Sequence, residues 1–175
     1  MFFRFTTTGF KRLQTLLLIL ACLIPLGTAG CGLDLFALLS DITQSEKVAY
    51  EVFELTNQER AKAGLPALTW NDNLAKAAEA HCQDMIDRNY FAHNTPENLT
   101  PGDRATVAGY NWLWVGENIA AGYTTPEQVM QGWMNSPDHK ENILRIQFKE
   151  LGVGVRVSPV GRVYWVQEFG TPESD

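Results

Sequence analysis

The sequence predicts an α+β domain in which helices cover the faces of a central antiparallel sheet. Three observations predict it. Helical segments between residues 45 and 144 follow recognisable start signals, and residues 153–169 alternate as a β-hairpin. A basic and then apolar N-terminal stretch separates from both as a leader. With that leader set aside, the 175-residue chain has room for one compact domain.

The leader comes first in the chain. Arg4, Lys11 and Arg12 precede an apolar run, Leu13 to Leu26, broken only by Gln14 and Thr15. Gly27-Thr28-Ala29-Gly30-Cys31 follows. A positive start, an apolar middle and small residues before a cut describe a secretory signal. A cysteine directly after Ala29-Gly30 resembles the lipobox of bacterial lipoproteins, although Thr28 stands where Leu, Val or Ile is usual. The resemblance implies that Cys31 becomes a lipid-bearing N-terminus. The expectation is an exported, membrane-anchored lipoprotein, with a plain secreted protein as the alternative. An uncleaved span fits less well, because the run falls short of the ~20 residues needed and contains Pro25. Residues 1–31 are thus read as leader, 32–42 as tether, 43–170 as the domain and 171–175 as tail.

Thr43 and Glu46 fit a capping box, and Val48, Ala49, Val52, Phe53, Leu55 and Thr56 recur at helical spacing until Gly64. Leu65 to Trp70 reads as an extended connection. Asn71 caps a second helix with the row Leu74, Ala77, Ala78, His81 and Met85, ended by Asn89. His81 is expected to be a hydrogen-bonded core histidine and Cys82 a small buried hydrophobe. Thr100-Pro101-Gly102-Asp103 starts a short helix released by Gly109. Thr125-Pro126-Glu127-Gln128 repeats the device, and the helix behind it should bury Val129, Met130 and Trp133. Ser136-Pro137 opens a last helix, with the Ser136 hydroxyl expected on backbone amides. Val153, Val155 and Val157, the turn Ser158–Gly161 and Val163 to Phe169 make the hairpin.

Composition excludes some functions. Arg4, Lys11 and Arg12 face no acids before residue 31, which leaves 11 basic against 20 acidic residues, a net of −9. A domain this acidic, without a basic stripe, is unsuited to nucleic acid or to anionic headgroups. Contact with a membrane is therefore expected only through a lipid anchor. Cys22 and Cys31 lie in the leader, so Cys82 is alone in the domain and no intramolecular disulfide is expected.

The candidate site gathers around Glu117. His93 lies upstream in a non-periodic loop behind Tyr90 and Phe91. His139 falls in the first turn of the last helix, where the positive helix end disfavours imidazolium and keeps it neutral. Asn118 adjoins Glu117, and Asn142 lies one turn beyond His139 on the same face. Tyr110, Trp112, Trp114 and Tyr123 flank Glu117 and offer a groove for a small molecule, lipid, glycan or peptide. Trp112 and Trp114, two apart on a strand, are either jointly buried or jointly displayed.

Five motifs in this order make the chain similar to the CAP superfamily and its bacterial SCP-like branch. They are Phe91-Ala92-His93, Gly116-Glu117-Asn118, Trp133 to Leu144, Leu151-Gly152-Val153-Gly154 and Trp165-Val166-Gln167-Glu168-Phe169. The resemblance covers about Ser45 to Gly170. It implies an α-β-α sandwich with one cleft, where two histidines and two glutamates can hold zinc or another divalent cation. His93, Glu117 and His139 match three of those ligands. The second glutamate would fall near Asn135 or Ser136, where this chain has no acid.

Two readings follow. One is an exported binding module at the cell envelope, with a His/Glu/His cleft organised as a hydrogen-bond network and no assigned catalytic residue. The alternative is a metal-dependent hydrolase, since two imidazoles and a carboxylate can hold catalytic zinc with a fourth position open for water. The binding module is the expectation, because no acid is left to act as base beside a zinc-bound water.

Overall fold

The computed structural model describes residues 35–173. The leader, Cys31 and the last two residues lie outside the described residues. Helix α1 (Leu35–Lys62) begins well before the expected cap, so Thr43 sits inside it and much of the supposed tether is helical. Leu35 to Ile42 is rich in Leu and has no Gly or Pro, so nothing there stops a helix. Its C-terminal end is as expected, with Gly64 at φ +71° after the last turn. Val52, Phe53 and Thr56 lie on its buried side.

Strand β1 (Thr69–Trp70) leads to α2 (Asp72–Asp87). Asn71 caps α2 through its side-chain oxygen, which accepts from the amides of Asn73 and Leu74. The expected row is buried, together with Cys82. Helix α3 (Pro101–Val107) has a complete capping box between Thr100 and Asp103. Strand β2 (Trp112–Ala121) is followed by α4 (Pro126–Asn135), whose cap Thr125 accepts from the Gln128 amide, and by α5 (Pro137–Leu144). Ser136 occupies the cap position of α5, yet its side chain makes no cap hydrogen bond, contrary to expectation. Strands β3 (Glu150–Val157) and β4 (Val163–Pro172) form the expected hairpin.

The sheet order is β1-β3-β4-β2. The three long strands pair antiparallel, while the two-residue β1 joins β3 in parallel and makes the sheet mixed. Side-chain alternation sends the strands' residues to two helical layers. Ala120, Val153, Val155, Trp165 and Phe169 pack with Val52, Val129, Trp133 and Ile143 from α1, α4 and α5. Ile119 and Val166 pack with Ala78, Cys82 and Met85 of α2. This is the α-β-α sandwich.

Two details position the site. Gly152 and Gly154 let α2 rest directly on β3: a Cβ at Gly152 would stand 2.0 Å from the Ala75 amide nitrogen, and one at Gly154 2.4 Å from the Ala78 carbonyl carbon. Arg60 is buried without an ion-pair partner among the described residues. It donates to the carbonyls of Pro66 (2.9 Å), Ile143 (2.8 Å), Arg145 (3.0 Å) and Phe148 (3.5 Å). One guanidinium thus ties the end of α1 to the segment leaving α5.

Candidate functional site

Glu117 and Glu168 are direct partners in the β2–β4 register, and both are buried, at 6% and 0% exposure. Two adjacent carboxylates away from water repel each other and lose hydration. Accordingly the Glu168 carboxyl is pushed well above the usual range, first by burial and then by the charge of Glu117. The compensating cation is Arg104, one residue past the Thr100–Asp103 capping box of α3. Its Nη2 lies 2.5 Å from Glu117 Oε2 and 3.4 Å from Glu168 Oε1. Its Nη1 donates to the carbonyls of His93 (2.8 Å) and Leu99 (3.2 Å), which fixes the loop carrying His93.

His93 reaches the other carboxylate oxygen, with Nδ1 2.6 Å from Glu117 Oε1. Its pKa is raised by that hydrogen bond, against partial burial. His81, fully buried, is hydrogen-bonded to the Ala92 carbonyl at 3.0 Å as a core histidine should be, and its Nε2 also lies 3.6 Å from Glu117 Oε2. Burial lowers its pKa, although Glu117 opposes that. Both oxygens of Glu117 are therefore committed.

His139 and the two asparagines belong to a separate network. Asn118 points to the opposite face of β2 from Glu117. Its Nδ2 donates to the His139 backbone carbonyl and to Gln167 Oε1, both at 3.0 Å, and its Oδ1 accepts from Asn142 at 2.9 Å. Asn142 also donates to the Glu117 carbonyl at 3.1 Å. Gln167 continues to the Thr56 hydroxyl at 2.8 Å, so the network crosses from α5 to α1. It holds the first turn of α5 and thereby the His139 ring. His139 has a lowered pKa, as expected, but burial leads and the charge of His93 comes second. No hydrogen bond joins its ring to His93 or Glu117 among the described residues.

The structure thus joins His93 to Glu117 by a hydrogen bond, while the His139 ring bonds to neither and lies near enough to feel the charge of His93. As placed, the three do not fit a divalent cation, because the Glu117 oxygens are taken by His93 and Arg104. Among the described residues no group of three or more His, Cys, Asp or Glu side chains has metal-holding geometry.

The four aromatics do not line one groove. Tyr110 is core, with its hydroxyl on Glu150 at 2.7 Å. A bulge between Trp112 and Trp114 separates the other pair, so both are displayed but on different helices. Trp112 packs on Gly102 of α3, donating to its carbonyl at 3.0 Å, and Tyr123 packs on Gly132 of α4. Trp114 alone of the four lines a groove of about 570 Å³, with Pro137, Lys140, Leu144, Gln147 and the ion pair of Glu141 and Arg145.

Sequence reasoning missed Arg104 and Glu168. A lone arginine in a short polar helix reads as surface. The acid in Trp165-Val166-Gln167-Glu168-Phe169 did carry a signal: a charge inside the most apolar strand needs a buried partner.

A helical sandwich around a short sheet, with a histidine–glutamate cleft at one edge strand, defines the class of CAP-like domains. The Cysteine-rich secretory protein family matches residues 53–169, and the chain belongs to this family, in which CAP and SCP name the same domain. The uncharacterized protein YkwD of Bacillus subtilis (strain 168) is 46% identical over 123 residues, 69% of this chain and 47% of that protein. The crystal structure of an extracellular SCP-domain protein from Bacillus anthracis str. Ames shares 37% identity at a TM-score of 0.67, over 72% of this chain and 41% of that one. An outer surface protein from Borrelia burgdorferi shares the fold at 21% identity and a TM-score of 0.69, over 74% of this chain and 96% of that chain. This chain thus spans less than half the length of the first two relatives. No described helix is long and apolar enough to cross a membrane.

Proposed function

We propose that the chain is an exported CAP-domain binding module, held at the membrane through a lipid on Cys31, whose cleft serves recognition rather than hydrolysis. The observation that carries this reading is the burial of the Glu117 carboxylate, 1% exposed, with one oxygen on His93 and the other on Arg104. A general base or a metal ligand needs a free lone pair on an accessible oxygen. Glu117 is instead an electrostatic post that orients the His93 loop. The Trp114 groove beside α5, within the size range of small-ligand sites, supports a binding role. Its mix of an aromatic face, the Lys140 ammonium and the Arg145–Glu141 ion pair suits a small molecule, glycan, lipid or peptide.

Zinc stoichiometry tests this against the metal-dependent hydrolase. The soluble chain lacking residues 1–31, incubated with excess zinc and dialysed, should retain none above background. Stoichiometric zinc in the wild type that is lost in His93→Ala would overturn the reading in favour of a metal site, the first requirement of the hydrolase.

A further inference from the structure

We propose that the first two turns of α1 and the β3–β4 turn form one apolar face that docks on the bilayer holding the Cys31 lipid. The domain then stands on the membrane in a fixed orientation, with the Trp114 groove at its far end. The inference rests on the Cys31 anchor of the proposed function and goes beyond it, from how the chain is held to how it is oriented.

The helix supplies the first half of the face. Leu35, Leu38, Leu39 and Ile42 recur at i, i+3, i+4 and i+7, so these positions share one face of α1. That face continues through Ala49, Phe53 and Thr56, the side buried against the sheet. The sheet ends first. Arg156, next to the last residue of β3, reaches the Ser45 hydroxyl at 3.3 Å, while Arg60 reaches the Phe148 carbonyl just before β3 begins. Helix α1 therefore runs antiparallel to β3, and the span from Ser45 back to Leu35 carries it about 15 Å past the level of Arg156.

The hairpin supplies the second half. Val157 and Val160, just past Arg156, are 63% and 89% exposed at the end of the domain where α1 emerges. Glu46, Lys47 and Arg162 are exposed beside these apolar positions and suit the headgroup level. The chain itself names the occupant. Only residues 32–34 separate Cys31 from Leu35, a reach of about 14 Å when fully extended. A lipid on Cys31 therefore brings the start of α1 to the bilayer surface. The acidic balance of the domain offers no attraction to anionic headgroups, so the contact is apolar burial. Two helical turns bury too little to hold the domain without the lipid, and their role is to orient it. Strand β4 pairs Tyr164 with Arg156 near this face and Thr171 with Trp114, about 23 Å further along. The groove thus lies at the end away from the membrane.

Dye quenching by lipid tests the orientation. The full chain, processed in its host, is reconstituted into phosphatidylcholine vesicles that contain a spin-labelled lipid. An environment-sensitive dye is attached at Val160→Cys or, as the far-end control, at Gln147→Cys; Cys82 is buried and takes no label. The dye at position 160 should be quenched equally at low and high salt, and the dye at position 147 should not. Adding Leu38→Glu and Leu39→Glu should abolish the quenching at 160, while the chain still floats with the vesicles and unfolds at the same urea concentration. A chain that floats with both dyes unquenched, or with both quenched alike, defeats this proposal and leaves the anchor standing. A dye at 160 that is shielded without vesicles, in a particle of dimer mass, places a second copy on the face and also defeats it. A wild-type chain that carries no lipid and stays off the vesicles defeats both the docking face and the anchor.

Discussion

Arg60→Met is expected to destabilise the domain by about 2–4 kcal/mol. Two opposing effects set that magnitude. Removing the guanidinium relieves the desolvation of a buried charge, which also lowers the arginine's own pKa. Methionine fills most of the volume, so the cavity contribution is small. Against this, the Ile143 carbonyl loses a 2.8 Å bond in a fully buried setting, and the Phe148 carbonyl loses a longer one. An orphaned buried carbonyl costs about 1–3 kcal/mol. The carbonyls of Pro66 and Arg145 are only partly buried and can turn to water. The orphaned acceptors decide the sign. Urea unfolding followed by tryptophan fluorescence is the assay, since Trp133 and Trp165 are both buried. The thermal midpoint should fall by about 3 °C per kcal/mol for a domain of this size. A change below about 0.5 kcal/mol, typical of an uninvolved surface site, would refute the reasoning.

Other outcomes are expected from the same geometry. Gly154→Ala places a Cβ 2.4 Å from the Ala78 carbonyl carbon, so α2 must move off β3 at a cost of about 1–3 kcal/mol or more, measured by the same unfolding curve. In an NMR titration His93 should titrate above the ordinary imidazole value and His139 below it; the reverse order contradicts the described contacts. Because the folded pKa of His93 is raised, its pairing stabilises the fold fully below the unfolded value and is lost as pH rises through the folded value. His93→Gln should therefore flatten the pH dependence of stability in that window, read from denaturation at a series of pH values. Cys31→Ser should release the protein from the membrane fraction, and continued retention would remove the lipoprotein assignment.

The sequence was most readable where the physical signal is local. Asn71 and the row Leu74 to Met85 need only a side chain, two amides and a 3.6-residue period, and α2 formed as read. The Val153–Phe169 hairpin was equally local. The start of α1 was not, because Thr43 and Glu46 resemble a cap wherever they fall and only the chain before them decides. Trp112 and Trp114 are jointly displayed, one of the two expectations, but the bulge between them sets the two rings against different neighbours, which alternation alone does not foresee. At the site, His93 and Glu117 were found by motif, but their partners were not. Arg104 and Glu168 become a pair with Glu117 only through the β2–β4 register and the placement of α3, which are long-range facts.

The lone cysteine of the described domain carries a different consequence. Cys82 is wholly buried between α2 and the β3–β4 pair, its thiol directed at the carbonyls of Gly154 and Tyr164, with ionisation suppressed by burial. A thiol that neither ionises nor meets solvent takes no part in exchange chemistry. The folded domain is therefore indifferent to the redox state of its surroundings. With Cys82 free and buried, the described domain has no bridge to close or reduce, and its fold needs none of the oxidoreductases on which disulfide-stapled proteins depend.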